Sequence, residues 1–182
     1  MASTGYVALL RGINVGGKNK MTMADLRDAF AGAGFDDVGT YIASGNVLFR
    51  TERPATTLED EIESVLEKQF GMPLVVMVRS HLQVRAVVDQ APADFVVLNG
   101  THHRDAAFLK LPLTPEEAMG VVQLREGVDQ AWAGKGVVYF ARLSAERQRS
   151  LMSRIVGTPE YQLMTIRSWS TTTHLLALLD NL

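Results

Sequence analysis

The chain contains no cysteine, which removes disulfide stapling, thiolate nucleophiles and thiolate metal ligands together and fits a cytosolic address. It has no long hydrophobic run. The stretch "YVALL", Tyr6 to Leu10, is followed at once by Arg11 and Gly12, so it is too short for a signal-peptide core or a membrane span and reads as a buried strand. Excess charge is missing too: 18 Lys and Arg stand against 20 Asp and Glu, a net charge of -2. A dedicated nucleic-acid binder carries surplus cations to displace counterions, so only a local basic patch is left for such a partner. Of the 4 histidines, His102 and His103 are adjacent and cannot repeat a metal-ligand spacing. With Arg104 and Asp105 they read as an exposed loop, and no metal or cofactor is expected. There is no G-x-S-x-G elbow. The carboxylate pairs Asp36-Asp37 and Glu116-Glu117 fall at a turn and at a helix start, where solvated or dipole-stabilising roles suffice.

What is present is an ordinary globular composition, 182 residues with 47% hydrophobic and 21% charged, enough for one domain or two small units. After the first strand comes a Gly-rich loop. Thr22, with Asp25 three residues on, forms a cap signal, and Met23, Leu26, Phe30 and Ala33 recur at helical spacing up to Gly34. "VGTYIASGNVLFR", Val38 to Arg50, holds two β-rich runs around Ser44-Gly45-Asn46 and predicts a hairpin. Thr57 and Asp60 repeat the cap signal before Leu58, Ile62, Val65, Leu66 and Phe70, and "PLVVMV" supplies a fourth strand. The order is βαββαβ, the ferredoxin-like arrangement.

The same order follows a helix from Ser80 to about Gln90 and a loop rich in His, Asn and Gly. "AAFLKL" at 106 to 111 is a strand, Thr114-Pro115-Glu116-Glu117 opens a helix, and Val128 to Ala141 is a hairpin around Gly134-Lys135-Gly136. Ser144 is placed as the cap of a helix carrying Leu151, Met152, Ile155 and Val156; "QLMTIR" is a last strand, and Ser170 caps a C-terminal helix. Thr114 lies 92 residues after Thr22, Lys135 lies 90 after Gly45, and Ser144 lies 87 after Thr57. These near-constant shifts predict an α+β chain of duplicated ferredoxin-like units with mainly antiparallel sheets; one larger α+β sheet is the alternative. The expected limits are 1–79 for the first unit, 80–104 for a connecting helix and loop, and 105–182 for the second unit with its C-terminal helix. "VALL", "NVLF" and "LVVMV" lack apolar-polar alternation, so both faces of the first sheet are expected to be buried. That argues against an open, base-stacking RNA platform.

Two segments carry candidate binding residues. "RGINVGGKNK", residues 11 to 20, has the spacing of a phosphate loop, with Gly12, Gly17 and Lys18, but places Asn19 where a metal-binding hydroxyl belongs. No apolar strand ending in Asp completes an ATPase. A plainer anion site uses Arg11, Lys18 and Lys20 with close backbone approach at the glycines. The competing reading is a crossover held by the side chains of Asn14 and Asn19. Between residues 140 and 170, Arg142, Arg147, Arg149, Arg154 and Arg167 face only Glu146 and Glu160. Trp169 stands beside them as a ring for a guanidinium or a ligand, or as a core anchor. The expected ligand-binding set is therefore Arg11, Asn14, Lys18, Asn19, Lys20, Arg147, Arg149, Arg167 and Trp169.

The motifs "ALLRGINVGGKNKM" and "TYIASGNVLF", with Arg149-Ser150 and "TIRSWSTTTHL" near the end, resemble the bacterial domain-of-unknown-function family numbered sixteen ninety-seven. The resemblance runs over nearly the whole chain and implies two intertwined ferredoxin-like units, without implying an activity. The chain departs from the family pattern at Ser168 and Ser170, where Asn is common, and at Leu151, where Lys follows the Arg-Ser pair. The combined expectation is a cytoplasmic protein that binds a phosphate-bearing ligand, a nucleotide or a nucleic-acid phosphate, without catalysis and away from membranes. An enzyme acting on a small phosphorylated substrate and a structural interaction module, including a homodimer, are the alternatives.

Overall fold

The computed structural model describes residues 3–17 and 20–182. The chain divides into two compact units, Met1–Arg85 with His174–Leu182, and Ala86–Thr173. In the first unit the order is β1 (Thr4–Leu10), α1 (Met23–Gly32), β2 (Asp36–Tyr41), β3 (Asn46–Thr51), α2 (Ala55–Phe70) and β4 (Val76–Ser80). The four strands form one antiparallel sheet in the order β2-β3-β1-β4, the ferredoxin-like topology. Thr22 caps α1 as the spacing predicts: its hydroxyl oxygen accepts from the Asp25 N–H at 3.0 Å. The cap expected at Thr57 is different. Pro54 precedes α2 as its N-cap without a side-chain bond, and Thr57 lies in the first turn, donating its hydroxyl to Glu61 Oε1 at 2.7 Å. Pro54 has the fixed φ of a helix entry, so the helix begins two residues before Thr57. It ends at Gly71, whose φ of 70° is the left-handed stop that glycine supplies.

Leu26 and Phe30 of α1 and Leu58, Ile62 and Leu66 of α2 pack on Tyr6, Ala8, Leu10, Val47, Phe49, Val76 and Val78. Each fully buried leucine or isoleucine contributes about 1.5–3 kcal/mol by leaving water. Alternate residues Val7, Leu9, Leu48 and Met77 point to the other face and are buried as well, which is why these strands show no polar alternation. The segment His174–Leu182 belongs to this unit. It is held by Arg50, whose Nη1 donates to the Leu182 carbonyl at 2.9 Å, and by Asp180, which pairs with His81 Nε2 at 2.6 Å and with Arg85.

The remaining elements are α3 (His81–Asp89), α4 (Ala93–Val96), β5 (His102–Leu109), α5 (Pro115–Gly120), β6 (Asp129–Gly134), β7 (Val137–Leu143), three 3-10 turns (Ser144–Arg149, Met152–Gly157 and Glu160–Leu163), β8 (Met164–Ser168) and α6 (Trp169–Leu179). The second sheet runs β6-β7-β5-β8, again antiparallel. The duplicated ferredoxin-like plan is therefore present, with one local change: the helix expected after Ser144 is a series of 3-10 turns. Two features break it. Ser150 is extended, with φ -58° and ψ 141°, and its hydroxyl accepts from the Met152 N–H at 3.2 Å. The Leu151 N–H is drawn to Asp129 Oδ2 at 2.8 Å, so neither group is available for an α-helical ladder. Met152 and Ile155 still reach the core beside Ala107, Leu109, Val138 and Phe140. At α6 the hydroxyl that accepts a first-turn N–H belongs to Ser168, from Thr171 at 3.2 Å, rather than to Ser170. No helix among the described residues is long and apolar enough to cross a membrane.

Candidate functional site

The loop after β1 has an unusual backbone. Gly12, Asn14, Gly16 and Gly17 have φ of 67°, 53°, 57° and 78°, and a Cβ on any of these three glycines would meet nothing within 4 Å. Asn14 tolerates the left-handed region because its short amide bonds locally. Its Nδ2 donates to the carbonyls of Met21 at 3.0 Å and Ala43 at 2.9 Å, and its Oδ1 accepts from the Met21 N–H at 2.8 Å. Asn14 thus closes the loop on itself and fastens it to the β2–β3 turn.

That turn is pressed against the loop from the other side. The Leu10 N–H donates to the Gly45 carbonyl at 2.9 Å, and Gly45, at φ 84°, leaves no room for a Cβ beside Ile13 and Leu10. Asn46 is buried and donates to the Tyr41 carbonyl at 2.9 Å. Between them Ile42 is held at φ 51° while 47% exposed. A β-branched residue in the left-handed region stores about 1–3 kcal/mol, and such strain persists where surrounding contacts over-determine it. The Tyr41 ring stacks on His174 with centroids 4.4 Å apart. Three segments far apart in sequence, 11–17 with Met21, 41–46 and His174, therefore form one locus of the first unit.

Arg11 is half-buried at the root of the loop and Lys20 is exposed; Lys18 and Asn19 lie outside the described residues. The start of α1 is already capped from within the chain. The Thr22 hydroxyl donates to Asp25 Oδ2 at 2.6 Å while accepting from the Asp25 N–H, so a carboxylate already complements the helix dipole.

The arginines of the second unit are dispersed. Arg167, only 7% exposed, donates Nη1 to Thr165 Oγ1 at 2.8 Å and to the Ile166 carbonyl at 3.0 Å; burial pushes its pKa down to about 10. Trp169 stands edge-on to Phe95 and Tyr139 at 4.9 and 6.0 Å. Arg167 is thus tied down within β8, and the Trp169 ring is packed among aromatic side chains of its own unit. Arg142 pairs with Asp105 at 2.7 Å, and Arg154 donates to Gln123 at 3.0 Å. Arg147 and Arg149 share an exposed place, on the Ser144–Arg149 turn around a concavity of about 500 Å³. Arg149 there pairs with Glu146 at 3.1 Å.

One polar group was not legible as such. His103 and Asp105 belong to β5, not to a loop, and their ring nitrogen and carboxylate lie 3.2 Å apart while Arg142 holds the other carboxylate oxygen. An arginine-held carboxylate of this kind fixes the orientation of an imidazole. Asp129 anchors the neighbouring turn through the N–H groups of Arg125 and Leu151 at 3.0 and 2.8 Å. The signal was the alternation His103, Asp105, Ala107, Leu109, which has the period of a strand. Among the described residues no three His, Asp or Glu side chains gather as metal ligands.

A family model described as a protein of unknown function (DUF1697) matches residues 3–139. Among solved structures, the conserved bacterial protein SP0830 from Streptococcus pneumoniae superposes with a TM-score of 0.86 at 24% identity, covering 98% of this chain and 99% of its own. That likeness establishes the shared fold. No curated protein matches.

Proposed function

We propose that this chain, which belongs to the DUF1697 family of proteins of unknown function, is a cytoplasmic binding protein for a phosphate-bearing ligand, seated on the Gly-rich loop of the first unit. The observation that carries the reading is the run of left-handed residues Gly12, Asn14, Gly16 and Gly17 with open space at each glycine. Left-handed residues within a turn direct successive N–H groups toward one side and make an anion-accepting concavity. Asn14 holds that backbone in place before any ligand arrives, which lowers the ordering cost of binding. Arg11, Lys18 and Lys20 add positive charge along the same ten residues. The function is binding rather than turnover.

Thermal-shift titration with inorganic pyrophosphate, nucleoside triphosphates and a short single-stranded oligonucleotide tests it. A ligand at a hundred times its dissociation constant stabilises by about 2.7 kcal/mol. The shift is expected to shrink in Lys18→Ala and Lys20→Ala and to survive in the Arg147→Ala/Arg149→Ala double variant. A shift lost only in the arginine variant moves the site to the Ser144–Arg149 turn. No shift with any of the three probes refutes anion binding.

A further inference from the structure

The turn between α4 and β5 carries Asn99-Gly100, and Asn99 is the one asparagine of the chain that a glycine follows. Both residues are exposed. Gly100 has φ 84°, and a Cβ there would meet nothing within 4 Å. The turn closes around the Gly100 N–H rather than through it. The Asn99 N–H donates to the Val96 carbonyl at 3.3 Å, and the N–H groups of Thr101 and His102 donate to the Leu98 carbonyl at 3.3 and 3.1 Å, while the Gly100 N–H has no acceptor among the described residues. The Asn99 side chain is held by a cation. Arg104 Nη2 donates to its Oδ1 at 2.8 Å, and Nη1 donates to the Val96 carbonyl at 3.2 Å. That guanidinium stands 5.3 Å from the ring centre of buried Phe95, and Arg104 is rooted in β5 opposite Ala141.

We propose that Asn99 is a site of spontaneous deamidation, promoted by Arg104. Asparagine is a thermolabile residue, and its loss needs a nearby nucleophile, space for a ring and support for the charge that develops on Oδ1. All three meet in this turn. The Gly100 N–H gives its proton to hydroxide and the nitrogen forms a bond to Asn99 Cγ. Negative charge then gathers on Oδ1, where a donor already in place lowers the barrier. The adduct expels the side-chain nitrogen as ammonia, with a proton returned from water, and leaves a succinimide. Water opens that ring at either carbonyl, to give aspartate or isoaspartate. The aspartate carboxylate stands where the amide oxygen stood and converts a neutral bond to Arg104 into a charge-assisted one. The isoaspartate arm adds a methylene to the main chain within the turn that Leu98 closes, just ahead of β5.

Incubation of the full chain in mildly alkaline buffer, followed by peptic peptide mapping with electron-transfer fragmentation, tests the assignment. Conversion of Asn99 to aspartate and isoaspartate is expected while the other asparagines persist. Arg104→Met, which keeps a long stem beside Phe95 and removes the donors, is expected to slow conversion by about threefold or more, less than the roughly hundredfold that an enclosed oxyanion donor is worth. Arg104→Lys, the milder variant, is expected to fall between the two. In urea, where the folded contact is gone, wild type and Arg104→Met are expected to convert at one rate. No conversion of Asn99 in the folded chain, a rate in folded Arg104→Met and Arg104→Lys equal to or above that of the wild type, or a difference that persists unchanged in urea overturns the proposal.

Discussion

Replacing Gly45 with alanine tests how the β2–β3 turn is seated against the Gly-rich loop. Two separate penalties apply at this position. A Cβ at φ 84° sits in the left-handed region, which costs a non-glycine residue about 1–2 kcal/mol. The same Cβ would lie 2.7 Å from Ile13 Cδ1 and 3.0 Å from Leu10 Cβ. The isoleucine methyl can rotate away, but Leu10 Cβ is fixed to the central strand β1, so the overpacking adds about 1–3 kcal/mol. The expected loss is therefore about 2–5 kcal/mol. Gly16→Ala is the control, because its φ of 57° carries the backbone penalty while nothing lies within 4 Å. Urea unfolding followed by far-UV circular dichroism measures both, with amide exchange at Leu10 reporting its bond to the Gly45 carbonyl. Intrinsic fluorescence is unsuitable, since Trp132 and Trp169 both belong to the second unit. Ile13→Val removes the nearest methyl, so it should cost less in the Gly45→Ala background than alone. Equal losses in Gly45→Ala and Gly16→Ala would refute the wedged packing of turn and loop.

Three further outcomes follow from single contacts. Asp129→Ala strips the acceptor from the Leu151 and Arg125 N–H groups and should destabilise by about 2–4 kcal/mol, seen as a lower thermal midpoint and faster proteolysis within residues 144–163. The Tyr139 hydroxyl donates to the Val87 carbonyl at 2.7 Å, and burial raises its pKa to about 12. The unfolded chain therefore loses this proton first, so stability falls as pH rises from 10 toward 12, by at most about 1.4 kcal/mol per pH unit; in Tyr139→Phe that component of the alkaline slope disappears. Glu117 has its pKa lowered by the bonds it makes with Thr114, so its support of α5 is complete above the ordinary carboxylate pKa and is lost as pH falls through the depressed one. Exchange of the Thr114 amide should accelerate over that acid range in the wild type, while Glu117→Gln shows no such pH step.

Much of the architecture was legible because the signals were local. Thr22 with Asp25, Thr114 with Pro115 and Glu117, and the glycines of the two hairpins fix their neighbours through short-range chemistry, and the structure has a helix or turn at each. Legibility failed where a distant residue decides. Nothing near Ser144 announces that Asp129 draws the Leu151 amide out of a helical ladder, and the polar residues His102 to Asp105 look like a loop until β7 and β8 pair with them. The candidate site divides in the same way. The Gly-rich loop could be recognised, but its attachment to Ala43 and Gly45, and the stacking of Tyr41 on His174, join positions that no spacing rule connects. The arginine excess was a fact of composition; folding assigns Arg142, Arg154 and Arg167 to separate partners.

The return of His174–Leu182 to the first unit bears on how the molecule is made. A ribosome releases the first sheet early, with Arg50 and His81 already in place, yet the Leu182 carbonyl and Asp180 that they hold are translated only after every residue of the second unit. Gly5, which Leu179 and Leu182 cover in the finished unit, is without that cover throughout the interval. Nascent chains stalled between Arg85 and His174 would therefore carry an unfinished first unit, exposed to chaperones and proteases. For the same reason no single cleavage excises Ala86–Thr173: the second unit is an insertion with two strands of chain to sever, and one nick leaves both halves tethered.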